Sequence, residues 1–221
     1  YTADDLVRII TLLRDPVNGC PWDKVQTHTS IRMNFLEEAY EAVDALDLDD
    51  PVLMCEELGD VLMQVAFHTC MEQETGRFTW EQVCDGVCQK LIERHPNIFG
   101  TQPGYEGITD WDALKNKEKG RRTLADDLES VPRAMPALMR AAKLQKRAAR
   151  HGAALQGADA AALVDAAENL QTAQPASAQA EQAVGELLFA AANLARQAGV
   201  DPEQALQKAN EAFCTAAGPV A

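Results

Sequence analysis

Runs of alternating β-branched and polar residues, the pattern of half-buried strands, are missing throughout these 221 residues. Aromatic residues make up only 5% of the chain, whereas alanine and other strong helix formers crowd its second half. Together these features predict an all-α protein. No apolar stretch reaches the roughly 18 residues that a membrane-spanning helix requires. We therefore expect neither a membrane span nor a membrane partner.

The chain is also poor in positive charge. Its 20 lysine and arginine residues stand against 34 acidic residues, which gives a formal net charge of −14. Proteins that bind nucleic-acid polymers rely on clustered lysine and arginine, so this balance disfavours such a partner. An anionic small molecule would need a metal ion or a local basic patch in order to bind.

The six cysteines contain no C-x-x-C pair, and four of them fall on apolar faces of predicted helices. This distribution is typical of reduced core thiols in a cytoplasmic protein. Cys84 and Cys88 are four residues apart, but no second ligand pair accompanies them, so zinc binding is the less favoured interpretation. No basic segment followed by an apolar one marks the N-terminus for export, and we expect a cytoplasmic location.

Capping residues and periodic apolar positions predict five helices in the first half of the chain. The second is expected to begin at Thr29 or Ser30, the third at Asp50 and Pro51, and the fourth at Thr79. The five expected ranges are 3–14, 30–47, 51–76, 79–95 and 109–120. Because a short turn joins the second helix to the third, these two should form a hairpin.

The last third of the chain resembles part of the first half. Residues 185–213 follow the same order as residues 59–95: an apolar helix with a Gly-acid pair, a break and a capped amphipathic helix. An internal duplication is the simplest explanation. We predict a first domain over 1–122, a linker with two prolines over 123–136, and a second domain over 137–221 that opens with a basic helix over 137–151.

Acidic residues interrupt the apolar sequence of the third predicted helix. Glu57 and Asp60 share an arc of about 80° with Gln64 and His68 when residues are placed at 100° intervals. Nearly all other positions of this helix are apolar, which predicts burial on most sides. We expect Gln64 and His68 to be hydrogen-bonded interior residues rather than ligands.

The second predicted helix adds Glu38 and Glu41 on one face. At a rise of ~1.5 Å per residue, Glu41 and Glu57 both lie about 10 Å from the hairpin turn, and Glu38 lies level with Asp60. Four half-buried carboxylates at matched heights would repel one another by several kcal/mol unless they were protonated or shared cations. A single acidic pair is ordinarily a solvated face, but two level pairs in apolar surroundings favour a site for Mg²⁺ or Mn²⁺.

The ordered motifs of the chain resemble those of the MazG family of all-α nucleoside triphosphate pyrophosphohydrolases. The resemblance rests on E-E-x-x-E (37–41), on E-x-x-D (57–60) within EELGDVL, and on LRDPVNGCPWDKVQTH, RHPNIF, WDALKNKEK and KLQKRAARHG. It covers nearly the whole chain. The resemblance implies tandem MazG helical bundles, hydrolysis of nucleoside triphosphates to the monophosphate and pyrophosphate, dependence on Mg²⁺ with Mn²⁺ as a substitute, and a homodimer.

The resemblance also implies roles for the acids. The expected metal ligands are Glu38, Glu41, Glu57 and Asp60. Glu38 or Glu41 would act as the general base that takes a proton from the attacking water, and the sequence does not choose between them. Glu37 matches a motif acid without an assigned role.

The second domain departs from the MazG pattern. Asn169, Thr172 and Ala183 stand where three of the motif acids are expected, and Glu186 takes the position of Asp60. We therefore expect the second domain to be catalytically inactive and to serve as a packing or dimerisation surface.

The phosphates of a substrate also require cations from the protein. We expect four residues of the fourth and fifth helices to supply them: Lys90, Arg94, Lys115 and Lys119. For each of these, a solvated surface charge is the alternative interpretation. Trp22 is expected either to stack on the nucleobase or to act as a hydrophobic plug.

Other functions stay open at this stage. A narrower enzyme of the same superfamily, such as a dCTP or dUTP pyrophosphatase or a phosphoribosyl-ATP pyrophosphohydrolase, would share the acidic motifs. A non-catalytic dimerisation or regulatory module is favoured by the altered second domain. A di-iron bundle is disfavoured because the chain has no helical Glu-x-x-His. If selectivity is loose, the expected role is removal of non-standard or surplus nucleotides.

Overall fold

A computed structural model of the protein describes residues 1–96, 98–100, 116 and 118–218. Over these residues the secondary structure is helical without any strand, which confirms the all-α prediction. The chain divides into two compact units, Tyr1–Ile108 and Thr109–Ala221. No helix in the described residues is long and apolar enough to cross a membrane. Two thirds of the helix predicted over 109–120 falls outside the described residues.

The first unit is built around one long central helix. Its described helices are α1 (Ala3–Leu13), a short 3-10 helix (Asp23–Val25), α2 (Arg32–Asp47), α3 (Pro51–Glu74) and α4 (Trp80–Arg94). Helix α3 packs against α1, α2 and α4, and it forms the expected hairpin with α2. The buried core consists of Ile10, Ile31, Ala66, Phe67, Cys70, Met71 and Trp80.

Local capping signals fix the starts of α3 and α4 as predicted. The carboxylate of Asp50 accepts hydrogen bonds from two backbone N–H groups in the first turn of α3, and Pro51 occupies the first helical position. Thr79 and Gln82 form a reciprocal capping box at the start of α4. The start of α3 sets how far its acids lie from the hairpin turn.

The predicted start of α2 at Thr29 or Ser30 is wrong. The helix begins at Arg32, and its N-cap residue Ile31 makes no side-chain cap. The hydroxyl of Ser30 instead accepts a hydrogen bond from the backbone N–H of Thr27, and the Thr27 hydroxyl accepts one from the N–H of Ser30. These polar side chains therefore close a turn that precedes the helix.

The burial predicted for α3 is wrong on one side. The C-terminal half of α3 contributes Ala66, Phe67 and Cys70 to the core, as the apolar sequence suggests. Leu58 and Leu62 are nevertheless 52% and 40% exposed. Within one chain, the helix therefore leaves part of its apolar surface uncovered near the acidic residues.

The cysteines are less buried than expected. All six are free thiols, but Cys70 is buried whereas Cys55, Cys88 and Cys214 are exposed. The core-thiol prediction therefore holds for Cys70 and fails for those three. In the part of the chain that the structure describes, Cys84 and Cys88 belong to no cluster of metal-binding side chains.

The second unit repeats the helical order of the first. Its described helices are α5 (Leu124–Glu129), α6 (Ala137–Arg150), α7 (Ala160–Thr172), α8 (Ala178–Gln197) and α9 (Pro202–Ala217). Helix α8 packs most extensively on α7 and also contacts α6 and α9. The basic helix α6 is confirmed within one residue of its predicted end. The domain boundaries at 122 and 137 stay predictions.

The segment predicted as a linker, 123–136, contains a helix that the sequence analysis missed. Helix α5 packs on α6, and the carboxylate of its buried Asp127 lies 3.0 Å from Nη1 of Arg147 and 3.2 Å from Nε2 of His151. Its residues lie in the second unit. Removing one partner of such a buried pair leaves an uncompensated charge, so α5 is tied firmly to α6.

We expect Asp127→Asn to lower the free energy of unfolding by about 3 kcal/mol, because it leaves the Arg147 guanidinium buried without its counter-charge. Urea denaturation followed by circular dichroism measures the change. The control is Asp165→Asn at an exposed position of α7, which should change stability by less than about 0.5 kcal/mol. Equal effects of the two substitutions would contradict a structural role for Asp127.

Candidate metal and active site

The hairpin of α2 and α3 brings three of the four expected ligands together. Carboxylate oxygens of Glu38, Glu41 and Glu57 all lie within 4.8 Å of one another. Glu38 and Glu57 are half-buried, whereas Glu41 is exposed. Because two oxygens bound to one Mg²⁺ or Ca²⁺ ion are each about 2.0–2.6 Å from it, this spacing fits a shared divalent cation.

Asp60 lies outside this group of three, but its negative charge affects the pKa of two of its members. Burial raises the pKa of Glu38, and the negative charge of Asp60 raises it further. Burial likewise raises the pKa of Glu57, followed by the charges of Glu41 and Asp60. The strongest pairings are therefore Glu38 with Asp60 and Glu41 with Glu57, the same pairings that the helical rise predicts.

Among the described residues, no cation acts on the pKa of Glu38 or Glu57. Every charge that acts on the pKa of Glu38 or Glu57 is negative. Like charges at short range disfavour simultaneous ionisation, whereas a divalent cation reverses that effect. The electrostatics of the hairpin therefore fit a bound metal ion better than an ion pair with lysine or arginine.

Gln64 lies on the buried side of the acidic cluster. Its side chain is 7% exposed, and its Nε2 group donates a hydrogen bond of 3.4 Å to Oε1 of Glu38. This contact confirms the prediction of a hydrogen-bonded interior residue. Its own Oε1 atom is buried without a partner among the described residues. A buried polar atom without a partner is uncommon in folded proteins and calls for a ligand or an ordered water.

The polar arc of α3 continues past the acids into a histidine pair. The Nδ1 atoms of His68 and His28 are 2.7 Å apart, and the two rings stack with centroids at 5.0 Å. Nε2 of His28 lies 2.5 Å from the carboxylate of Glu72. Burial and the charge of His28 lower the pKa of His68. The hydrogen-bonded role predicted for His68 is confirmed, but the sequence analysis missed His28 and Glu72.

The residues expected to bind substrate are described less fully. Trp22 is 57% exposed beside the 3-10 helix, so it does not plug the core of the first unit. Lys90 is exposed and Arg94 half-buried near the end of α4, which packs on α3. Lys115 lies outside the described residues, and the exposed Lys119 belongs to the second unit. The substrate-binding roles of these residues stay predictions.

The corresponding face of the second unit has a different chemistry. A cavity of about 680 Å³ between α7 and α8 is lined by Asn169 and Glu186, among others. Ala183, at the position of Glu57, is buried. The hydroxyl of Thr172 donates to backbone carbonyls of its own helix. Within the described residues, this unit has no carboxylate cluster like that of the first.

Sequence comparisons agree with this geometry. The family model of the MazG nucleotide pyrophosphohydrolase domain matches residues 26–99. The chain is 41% identical over 221 residues to the nucleoside triphosphate pyrophosphohydrolase of Escherichia coli (strain K12), covering 95% of this chain and 83% of that protein. The chain belongs to the MazG family.

Further relatives support the MazG assignment. The nucleoside triphosphate pyrophosphohydrolase/pyrophosphatase MazG of Thermotoga maritima is 39% identical over 212 residues, which cover 95% of this chain and 82% of that protein. The nucleoside triphosphate pyrophosphohydrolase of Mycobacterium tuberculosis is 34% identical over 154 residues, 68% of this chain and 46% of that protein. The matched MazG segment, 26–99, contains the whole α2–α3 hairpin and thus all four acids.

Replacing Glu38 by Gln should stabilise the metal-free protein at neutral pH. Because the folded state raises the pKa of Glu38, stability falls as pH rises through the unfolded and then the folded pKa, and it stays reduced above both. The Glu38→Gln variant has no ionisable carboxyl group at this position, so its stability does not fall in this way. We expect a higher melting temperature than wild type in a chelator at neutral pH, and a smaller difference at mildly acidic pH.

Excess Mg²⁺ should reverse that order, because wild type gains a bound ion and the variant loses a ligand. Differential scanning fluorimetry with and without Mg²⁺ measures both effects. Glu37→Gln, at an exposed neighbouring position, is the matched control and should respond to Mg²⁺ like wild type. An equal response of Glu38→Gln to the metal would contradict the ligand assignment.

Proposed function

We propose that this protein hydrolyses nucleoside triphosphates to the nucleoside monophosphate and pyrophosphate in a metal-dependent reaction. One observation carries the proposal: carboxylate oxygens of Glu38, Glu41 and Glu57 converge within 4.8 Å on the segment that matches the MazG model. Relatives whose alignments cover 95% of this chain bear the name nucleoside triphosphate pyrophosphohydrolase. The protein is accordingly an enzyme.

Mg²⁺ is the proposed ion, with Mn²⁺ as a substitute, and the proposed ligands are Glu38, Glu41, Glu57 and Asp60. When bound, the ion neutralises phosphate charge and makes its water more acidic. We favour Glu38 as the general base because it is half-buried and receives the Gln64 hydrogen bond, whereas Glu41 is exposed. Gln64 donates a hydrogen bond to Oε1 of Glu38 and so helps to orient that carboxylate. Glu41 is the alternative base.

The phosphates and the nucleobase of the substrate require further contacts with the protein. We assign the phosphate contacts to Lys90 and Arg94 on α4, the helix that packs on α3. The roles expected for Lys115 and Lys119 stay predictions from the sequence. Trp22, with its exposed ring, is suited to stacking on a nucleobase. Stacking tolerates different bases, which fits an enzyme that removes non-standard or surplus nucleotides. A narrower preference for dCTP or dUTP is the alternative that a substrate panel separates.

A homodimer is part of the proposal. Five apolar side chains of α2 and α3 are between 40% and 53% exposed in the single chain: Tyr40, Val43, Leu46, Leu58 and Leu62. Exposed apolar surface of this kind is typical of a protein interface, and a second copy related by two-fold symmetry would cover it. A cytoplasmic location also belongs to the proposal, because all six cysteines are free thiols, as in reducing compartments.

Asp60→Asn should reduce pyrophosphate release from nucleoside triphosphates by at least about 100-fold, since even groups that only orient metal ligands contribute 10–100-fold. A coupled pyrophosphate assay with Mg²⁺ and a nucleotide panel measures the loss, and circular dichroism checks helicity. Glu186→Gln, the equivalent position of the second unit, should retain wild-type turnover. Full activity of Asp60→Asn would refute the site, and inactive wild type would favour the non-catalytic module.

Leu58→Asp should shift the protein towards the monomer, because a charged side chain in an apolar interface lacks a partner. Analytical ultracentrifugation across a concentration range measures the assembly. Val164→Asp changes an equally exposed apolar residue of α7 in the second unit (53% exposed against 52%). It should leave the mass unchanged if α2 and α3 form the interface, whereas dissociation would place the interface on the second unit, which the sequence also offers as a dimerisation surface. A monomeric wild type, or disruption by Val164→Asp alone, would contradict the proposed interface.

A further inference from the structure

A basic cavity lies in the second unit where α6, the end of α8 and the start of α9 meet. Its volume is about 660 Å³, within the range of small-molecule sites. The charged residues that line it are Lys143, Lys146, Arg147, Arg196 and Asp201. Four of these five are cationic in a chain whose formal net charge is −14. The cavity therefore reverses the sign of charge locally, and local charge of one sign attracts its opposite.

Arg196 is held in place by a buried amide. Its Nε donates a hydrogen bond of 2.9 Å to Oδ1 of Asn193, and Nδ2 of Asn193 donates one of 2.7 Å to the carbonyl of Ala158. Asn193 is 2% exposed, so both ends of its amide are used inside the protein. The terminal nitrogens of Arg196 make no hydrogen bond within the described residues. A guanidinium fixed in this way is suited to bidentate contact with a phosphate.

Lys143 and Lys146 add two more unpaired charges. They lie three residues apart on α6, and like charges at this spacing repel each other. Neither lysine forms an ion pair or side-chain hydrogen bond within the parts of the chain described. An anion bound between them would remove the repulsion.

The other two charged lining residues already have partners. The carboxylate of Asp201 accepts hydrogen bonds from two backbone N–H groups of α9 and caps that helix. Arg147 pairs with the buried Asp127, while its Nε is a buried donor without a partner among the described residues. Asp201 therefore offsets only part of the positive charge of the lining, and Arg147 is already paired with Asp127.

We propose that this cavity binds an anion of linked phosphate groups through Arg196, Lys143 and Lys146. Pyrophosphate or the tail of a nucleotide carries several linked negative charges to match three cations, whereas a lone phosphate carries fewer. Binding needs no divalent metal because the protein supplies the positive charge. The site lies apart from the α7–α8 face that carries Asn169 and Glu186, and it does not depend on the proposed hydrolysis.

Isothermal titration calorimetry of the full chain tests the proposal. Inorganic pyrophosphate and a non-hydrolysable nucleoside triphosphate analogue are titrated separately in a metal chelator at low salt, where the acids of the first unit carry no metal. We expect one site per chain, weakened by added salt. Arg196→Gln and the double variant Lys143→Gln/Lys146→Gln should each weaken binding about tenfold or more, the scale of a lost charge-assisted hydrogen bond.

Lys208→Gln is the matched control, because it removes one charge from an exposed position of α9 outside the cavity. It should leave the affinity unchanged, as should Asp60→Asn. No heat with either probe, or equal weakening by Lys208→Gln, overturns the proposal. If Arg196→Gln fails to fold, the lysine variant decides, since its changes lie on the surface of α6. Tighter binding of pyrophosphate identifies the free anion as ligand, and tighter binding of the analogue identifies a nucleotide tail.

Discussion

Mutual repulsion among the carboxylates of one helical hairpin is the constraint that links this fold to its chemistry. Burial and neighbouring negative charges raise the pKa of Glu38 and Glu57, so ionisation at neutral pH opposes folding of the metal-free chain. The acids stay together because Asp50 and Pro51 start α3 directly after the turn, and because the far half of α3 is anchored in the core. Apolar burial elsewhere thus holds a charge arrangement that a divalent cation stabilises.

The two units have a similar order of helices but cluster charges of opposite sign. In the first, acids cluster on the hairpin, where we propose a bound cation. In the second, Asn169 and Ala183 replace two of those acids, and unpaired positive charge lies instead in the cavity beside α6. A phosphate-bearing ligand can be held in either way, by metal ions or by lysine and arginine side chains. Loss of the acids therefore leaves a helical scaffold able to recognise anions by other residues.

Local chemistry made much of the first unit predictable from sequence. The α3 cap at Asp50 depends only on neighbouring residues, and the fixed helical rise places Glu41 level with Glu57 once the hairpin is assumed. Features that depend on distant partners were not predictable. Asp127 contacts Arg147, twenty residues further along the chain, and His28 contacts His68, forty residues further along. Substrate contacts from α4 also require a tertiary arrangement that residue spacing does not specify.

Gln64 shows where periodicity ends and tertiary structure begins. Its place on the polar arc follows from the sequence, but its unpaired Oε1 atom appears only in the structure. The residue is 7% exposed, and its Nε2 group donates a hydrogen bond to Glu38. An unpaired buried polar atom costs about 1–3 kcal/mol, and the adjacent carboxylates add repulsion. Two costs of different origin, one electrostatic and one of lost hydrogen bonding, therefore meet at the same place. A divalent cation offsets the repulsion among the carboxylates, whereas the Gln64 oxygen requires a hydrogen-bond donor of its own.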